Sequence, residues 1–532
     1  MGNLGMDFGT TNSSVYYFDK QKNDFWFLTI GNQRLEFFPT MIAYGKEDNT
    51  KLIGESAKLY QFSPKMDVYN HFKLSLGRNA KECNGREKAP YDIAKDFFKE
   101  VLSEYCQKTG MEIDKIVLTV PDIWKNEITK KTATENLLEM FSELGYSYEQ
   151  IRFESEPVAA AAYYCKMLNN CYQGYVVVVD FGGGTLDLTL CKVDENSDIT
   201  VMRRCGNSGD YNGCAGIAFD EALAERIIKK YNLNIKNGSK EFYNLFNAIE
   251  SAKINSVGTD SVLRDAYAGY DQYSGCFLDD KLAFSVPDSR FVGEEYDVMA
   301  SDIIEVFDEV NKPALTENLQ RMKEYCKELN IDINQQDNFR ILMVGGFSNL
   351  YCVEACCREE FDSLPGIKDE RFDDKMHLGN RCSTAIANGA AIIAEGMTKV
   401  NYLCQTDVGY YYYDVESADE KYATVIQKDA PVSDYSEPVF SNLILQNMFI
   451  GSEIRIKLFF DDGYGKIPVY LDESFKALCP DFDNINNSYQ LGFSMNRQRI
   501  PILHIRDKNG KENTHSLNSL IEKIAIRKVD TK

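Results

Sequence analysis

Apolar residues recur along the chain with two periods, and their alternation sets the fold class. Ile93, Phe97, Val101 and Tyr105, flanked by Ala94, Phe98 and Leu102, form one stripe at helical spacing, and Gly110 stops it. The run Ile116-Val117-Leu118-Thr119-Val120 has no such period and ends at Pro121, the pattern of a buried strand. Residues 132–144 predict a helix ended by Gly145. Residues 151–153 predict a short strand, and Glu156-Pro157 opens an alanine-rich helix over 158–168. Further helices are predicted over 220–231, 241–254, 296–329 (with a break near Pro313) and 384–395. Helix and strand alternate, so the class is α/β. Near residue 400 the pattern changes. Stretches 410–413, 454–460 and 500–505 are β-rich and separated by turn sequences such as Asp461-Asp462-Gly463 and Asn509-Gly510. They predict a small all-β domain. The four tyrosines Tyr410–Tyr413 read best as a strand with one aromatic face in a core, and otherwise as a ligand surface.

One feature repeats. Asp7-Phe8-Gly9-Thr10-Thr11-Asn12 recurs as Asp180-Phe181-Gly182-Gly183-Gly184-Thr185, each copy lying between two β-forming stretches. Each reads as strand, tight turn of small residues, strand. Two such hairpins imply a duplicated domain. Small turn residues let backbone N–H groups close around an anion. A carboxylate at the end of each first strand, Asp7 and Asp180, can hold Mg²⁺ through water. An ordinary pair of glycine-rich turns is the competing reading, and the shared Asp-Phe-Gly start disfavours it. No GxxxxGK[ST] occurs, and Gly182-Gly183-Gly184 leads into a strand where a dinucleotide fingerprint would lead into a helix. A third glycine turn, Gly345-Gly346-Phe347, follows the strand 340–344 and precedes a helical pattern, a plausible nucleoside site.

Composition narrows the partners. The 532 residues include 59 Lys plus Arg and 81 Asp plus Glu, for a net charge of −22. That balance disfavours nucleic acid and anionic membrane surfaces as partners. The 15 cysteines form no CxxC pair, and the 4 histidines complete no zinc spacing, so reduced thiols are expected, including Cys352, Cys356 and Cys357 on an apolar helix. The start of the chain lacks a signal-peptide pattern and the apolar runs are strand-sized, so a soluble, cytoplasmic setting is expected.

Together, these motifs resemble the heat-shock protein 70 (DnaK) chaperones over residues 3–396. The matching segments are Gly5–Ser13, Leu52-Ile53-Gly54-Glu55-Ser56-Ala57-Lys58, Lys73 with Gly77-Arg78, Leu118-Thr119-Val120-Pro121, Glu156–Ala161, Asp180–Asp187 and Val344-Gly345-Gly346. The resemblance implies a duplicated actin-like ATPase fold, with one lobe over 1–180 and a second over 181–398. Residues 407–530 would form a divergent β-sandwich that binds substrate, without a helical lid. It implies ATP or ADP with Mg²⁺ as ligands, and unfolded peptides or a client protein, with co-chaperones, as partners. By position, Asp7 and Asp180 look like metal-site carboxylates. Gly9, Thr10, Thr11 and Asn12, with Gly182, Gly183, Gly184 and Thr185, look like the two phosphate turns. Lys73 looks like the lysine that stabilises phosphoryl charge, and Glu156 or Asp187 would orient or deprotonate water. Glu250, Lys253, Gly345, Gly346 and Phe347 look like the nucleoside side.

The chain departs from the family where Ile254 and Asn349 replace two arginines that would stack on adenine, and where Ser383 replaces an aspartate. Weaker or altered base binding is the expectation. The leading reading is an ATP-hydrolysing chaperone-like protein. The alternatives are a low-turnover nucleotide-gated adaptor and, disfavoured by the stretch from Leu52 to Arg78, a filament former or sugar kinase.

Overall fold

A computed structural model describes residues 1–517 except 32–34, 49, 62, 78, 84–86, 122–132, 169–171, 208–212, 272–275, 278–279, 289–292, 365–367, 373–380, 447–454, 462–464, 480–487 and 497–498. Arg78, the side chain of Ser383, the turn at 462–463 and the last fifteen residues lie outside the described set. The chain divides into two compact units. One comprises residues 1–123, 136–199 and 203–399, and the other comprises 124–135, 200–202 and 400–532.

The first unit is mixed α/β and holds two sheets built on one plan. In the first, strand Gly2–Phe8 pairs antiparallel with Asn12–Asp19 and parallel with Ile113–Val120. In the second, strand Gly174–Phe181 pairs antiparallel with Leu186–Val193 and parallel with Phe339–Val344. Strand Gly174–Phe181 carries four consecutive valines, as a strand buried on both faces requires, and strand Gly2–Phe8 is buried from Leu4 to Phe8. Each ends on an Asp-Phe pair followed by a turn of small residues, so the sequence repeat is also a repeat of topology.

Helix Arg381–Ala394 lies against strand Gly2–Phe8 and against helix Glu156–Tyr163. Gly5 and Gly389 make these crossings. A Cβ on Gly5 would collide with the backbone of Ala391, and one on Gly389 with the carbonyl of Ala159.

Several boundaries differ from the pattern reading. Residues predicted to begin a helix at 296 form strand Glu295–Met299, whose Tyr296 and Val298 face inward with period two; helices Ala300–Val310 and Lys312–Glu328 follow. The break falls at Asn311, and Pro313 sits harmlessly in the first turn of the second helix, where its missing N–H costs nothing. The helix predicted from 220 starts at Gly216, because the Gly216 and Ile217 amides donate to the carbonyls of Gly182 and Gly183, at 3.2 and 2.8 Å. The alanine-rich helix ends in a π turn over Tyr164–Leu168. Cys352, Cys356 and Cys357 are buried thiols on helix Tyr351–Glu360, pushed up in pKa by burial.

The second unit is dominated by two antiparallel sheets. One runs in the order Asp419–Ile426, Asp407–Asp414, Lys457–Asp461, Ile467–Tyr470. The other has Val439–Phe440, Ser488–Met495, Pro501–Asp507, Glu512–Ser516. Val408, Tyr410, Leu458, Phe460, Leu491, Leu503 and Ile505 lie in a shared core. The tyrosine run alternates: Tyr410 is buried and donates to Ser441 Oγ at 2.6 Å, whereas Tyr411 meets Tyr422 and Phe459 edge-on and Tyr413 is exposed.

Candidate functional site

The two Asp-Phe strand ends bring their carboxylates into one buried place in the first unit. Register sets Asp7 opposite Ser14 on one side and Thr119 on the other; the Thr119 hydroxyl donates to Asp7 Oδ1 at 3.1 Å. Asp180 lies opposite Asp187 across its hairpin. Glu156 is the first residue of helix Glu156–Tyr163, delivered by the short strand Ile151–Ser155. Asp7, Asp180, Asp187 and Glu156 are all buried.

Lys73 enters from a 3₁₀ turn, Phe72–Ser75, entered through His71 in the left-handed region (φ 52°) and anchored by Phe72 against Phe8 and Phe97. Its ammonium donates to Glu156 Oε1 at 2.7 Å, and the lysine is 3% exposed. A lysine this buried is held by its ion pair.

The carboxylates outnumber the lysine, and their protonation reflects it. Burial pushes Asp7 up to about 7, with help from the Glu156 charge and against the pull of Lys73 and Thr119. Burial first, then the charges of Glu156, Asp187 and Asp7, hold Asp180 well above the ordinary carboxylate range. Asp180 Oδ2 is buried without a hydrogen-bond partner among the described residues. Among those residues no three His, Cys, Asp or Glu side chains lie close enough to hold a metal unaided. A cation carried by one or two carboxylates, with water and phosphate oxygens filling the remaining positions, fits this donor set; Mg²⁺ binds in that way.

Both glycine turns are fixed from outside. Thr40 anchors the first: its amide donates to Thr11 O at 2.8 Å and its hydroxyl to Gly9 O at 2.9 Å. The second is closed by Gly182 N to Thr185 O at 3.1 Å and tied to the helix starting at Gly216. The turns face each other closely: a Cβ on Gly184 would lie 2.7 Å from Thr10 Oγ1, and one on Gly183 2.9 Å from Thr11 Oγ1. Gly345, at φ 85°, lets the third turn pass Asp180; a Cβ there would sit 2.6 Å from Asp180 Oδ1.

A cavity of about 210 Å³ joins these parts. Asp7, Gly9, Thr10, Thr11, Asn12, Lys73, Glu156, Asp180, Gly182, Gly183, Gly184, Thr185, Glu250, Lys253, Gly345, Gly346 and Phe347 all line it. Asp187 does not; it lies behind Asp180, whose carboxyl its charge raises.

Sequence reasoning missed Asp220. The pattern predicts a helix over 220–231 and gives Asp220 no site role; the helix begins four residues earlier, and Asp220 lies on its buried stripe beside Phe219 and Leu223. Its oxygens accept from Lys253 Nζ at 2.6 and 2.8 Å, and burial, opposed by Lys253, raises it to about 6. Thr40, Ile217 and Ile386 carry no motif signal; only the fold brings them here. His71, packed beside the lysine turn, has its pKa lowered by burial against the opposing charge of Glu250.

A family model described as "Family of unknown function (DUF5716) C-terminal" matches residues 25–256. The chain is similar to the chaperone protein DnaK of Endomicrobium trichonymphae, 28% identical over 270 residues that cover 48% of this chain and 41% of that protein. It is also similar to the chaperone protein DnaK of Thermosipho melanesiensis, 24% identical over 395 residues, and of Thermotoga maritima, 24% identical over 392 residues; each match covers 73% of this chain and 59% of the relative. The chain thus spans about half the length of the curated relatives it matches. Distant homology over much of the chain points to a heat-shock protein 70-like class. No helix among the described residues is long and apolar enough to cross a membrane.

Proposed function

We propose that the first unit binds ATP with Mg²⁺ between its two glycine turns and hydrolyses it. The observation that supports this best is the buried set of Asp7, Asp180, Glu156 and Lys73 beside two facing turns of small residues. In this reading the lobes are residues 1–180 and 181–398 of a duplicated actin-like fold. The second unit takes unfolded peptides or a client protein, assisted by co-chaperones, in the cytoplasm.

The chemistry follows from the residues. Backbone N–H groups of the two turns and the hydroxyls of Thr10 and Thr11 hold phosphate oxygens. Bound Mg²⁺ would neutralise phosphate charge and be held through Asp7 and Asp180. Lys73 stabilises charge that develops on the transferred phosphoryl group, which requires it to turn from Glu156 toward the phosphate. Glu156, released from that pair, orients a water or takes its proton, with Asp187 setting the field behind the site.

A second reading, a nucleotide-gated adaptor with little turnover, rests on a specific observation: Lys253 is engaged by Asp220, and Ile254 and Asn349 bring no cation to the nucleoside side. Calorimetry with MgATP and MgADP beside a phosphate-release assay separates the two. Binding with turnover supports hydrolysis, binding without turnover supports the adaptor, and absence of binding rejects both.

A further inference from the structure

The cavity has a second set of walls, away from the carboxylates, and their chemistry bears on which nucleotide it takes. Telling one base from another requires fixed, uncommitted hydrogen-bonding groups at the base edge. Sites that have them reject the wrong molecule by roughly 10⁴-fold or more, whereas an apolar pocket separates close analogues by only ~10–200-fold.

Here the side chains Lys253 and Asn349, the donors that line this wall, are already engaged. Lys253 Nζ is held by both oxygens of Asp220, at 2.6 and 2.8 Å. Asn349 Nδ2 donates to Gly346 O at 3.1 Å. Ser348 Oγ has no hydrogen-bond partner among the described residues, but the residue is 2% exposed and is not part of the cavity wall. Phe347 stands with its ring against Phe181 and Phe219, and Lys253 Nζ lies 5.4 Å from its centroid. Ile217 and Ile254 supply further apolar wall, and Ile254 is 61% exposed, a large apolar side chain left open to water at the rim. Glu250 offers acceptors only, and adenine, guanine and cytosine all carry an amino group that can donate.

We propose that this site selects the triphosphate and not the base: purine and cytosine nucleotides bind alike, with the base lying on Ile254. The inference rests on the nucleotide reading above.

The test is equilibrium binding of MgATP, MgGTP and MgCTP to the full chain, with magnesium tripolyphosphate as a probe without a base, and a repeat on Ile254→Arg. Ile254 projects from a helix surface, so the substitution leaves the fold in place. The three nucleotides are expected within about 10-fold of one another, the range of an apolar pocket. The arginine should tighten the purine nucleotides ~2- to 5-fold through stacking, with tripolyphosphate unchanged. A preference of 100-fold or more for one base overturns the proposal, as does an Ile254→Arg effect equal on tripolyphosphate and nucleotide. If tripolyphosphate binds and nucleotides gain nothing over it, the selection of the triphosphate stands and the placement of the base on Ile254 is overturned. If neither binds, the phosphate reading fails and takes the proposal with it.

Discussion

At the scale of single residues, the candidate chemistry turns on one buried ion pair. Lys73→Ala should lower single-turnover ATP hydrolysis by about 10²–10³-fold while ATP still binds, because in the proposed mechanism the lysine acts on charge that develops during transfer. Removing one partner of a buried pair also costs stability, on the order of 3–5 kcal/mol. The double variant Lys73→Ala/Glu156→Gln removes the stranded charge and should recover part of the stability while hydrolysis stays low, because Glu156 is itself assigned to the water. Unchanged hydrolysis in Lys73→Ala contradicts the assigned role. Gly345→Ala puts a side chain 2.6 Å from Asp180 Oδ1 on a backbone at φ 85°; a loss of ~1–3 kcal/mol is expected in denaturant titration.

The motif residues were legible because turn chemistry is local: Asp-Phe-Gly and Gly-Gly-Gly announce themselves in consecutive positions. Asp220 and Thr40 were not, because each acts on a partner dozens of residues away, Lys253 and Gly9, and nothing in their own neighbourhoods marks it.

At the scale of elements, the site depends on how helix Glu156–Tyr163 is held, since Glu156 is its first residue. Gly389 allows helix Arg381–Ala394 to press against it, and a side chain there would collide with the Ala159 carbonyl. Gly389→Ala should therefore cost about 1–3 kcal/mol in thermal or chemical unfolding. It should also weaken MgATP binding, because Glu156 and its lysine shift together. Loss of stability with unaltered binding would show that the crossing does not position the site.

The alternation of helix and strand was readable from periodicity. The boundary at 295–300 was not, because Tyr296 and Val298 in a strand and the apolar stripe of the helix that follows can be read as one helical pattern. The early start at Gly216 depends on carbonyls of Gly182 and Gly183, which no helix pattern contains.

At the scale of the whole molecule, the buried carboxylates make stability depend on pH. The folded pKa of Asp7, about 7, lies above its ordinary 3.8, and that of Asp180 is raised as well. The Asp7 contribution to stability is complete below about pH 4 and is lost as pH rises through about 7, and that of Asp180 is lost in the same direction as pH rises. Melting temperature without divalent cation should therefore fall over this interval by an amount that Asp7→Asn reduces. MgATP should restore more stability at pH 8 than at pH 5, since in the proposed site the ionised carboxylates would hold the cation. A flat profile in Asp7→Asn and parent alike contradicts the assignment.

The change of pattern near residue 400 falls at one boundary of the two units, whereas the assignment of residues 200–202 to the second unit has no sequence signal. Whether the β unit binds anything was not legible, because a strand such as Asp407–Asp414 reads the same whether its outer face meets water or a ligand.

The most direct test of the central claim is a calorimetric titration of the full chain with ATP, with and without Mg²⁺, repeated on Asp180→Asn. The account predicts saturable one-site binding that requires Mg²⁺ and weakens at least ~10-fold in Asp180→Asn. Absence of binding, or binding equally tight without Mg²⁺ and in the variant, would contradict it.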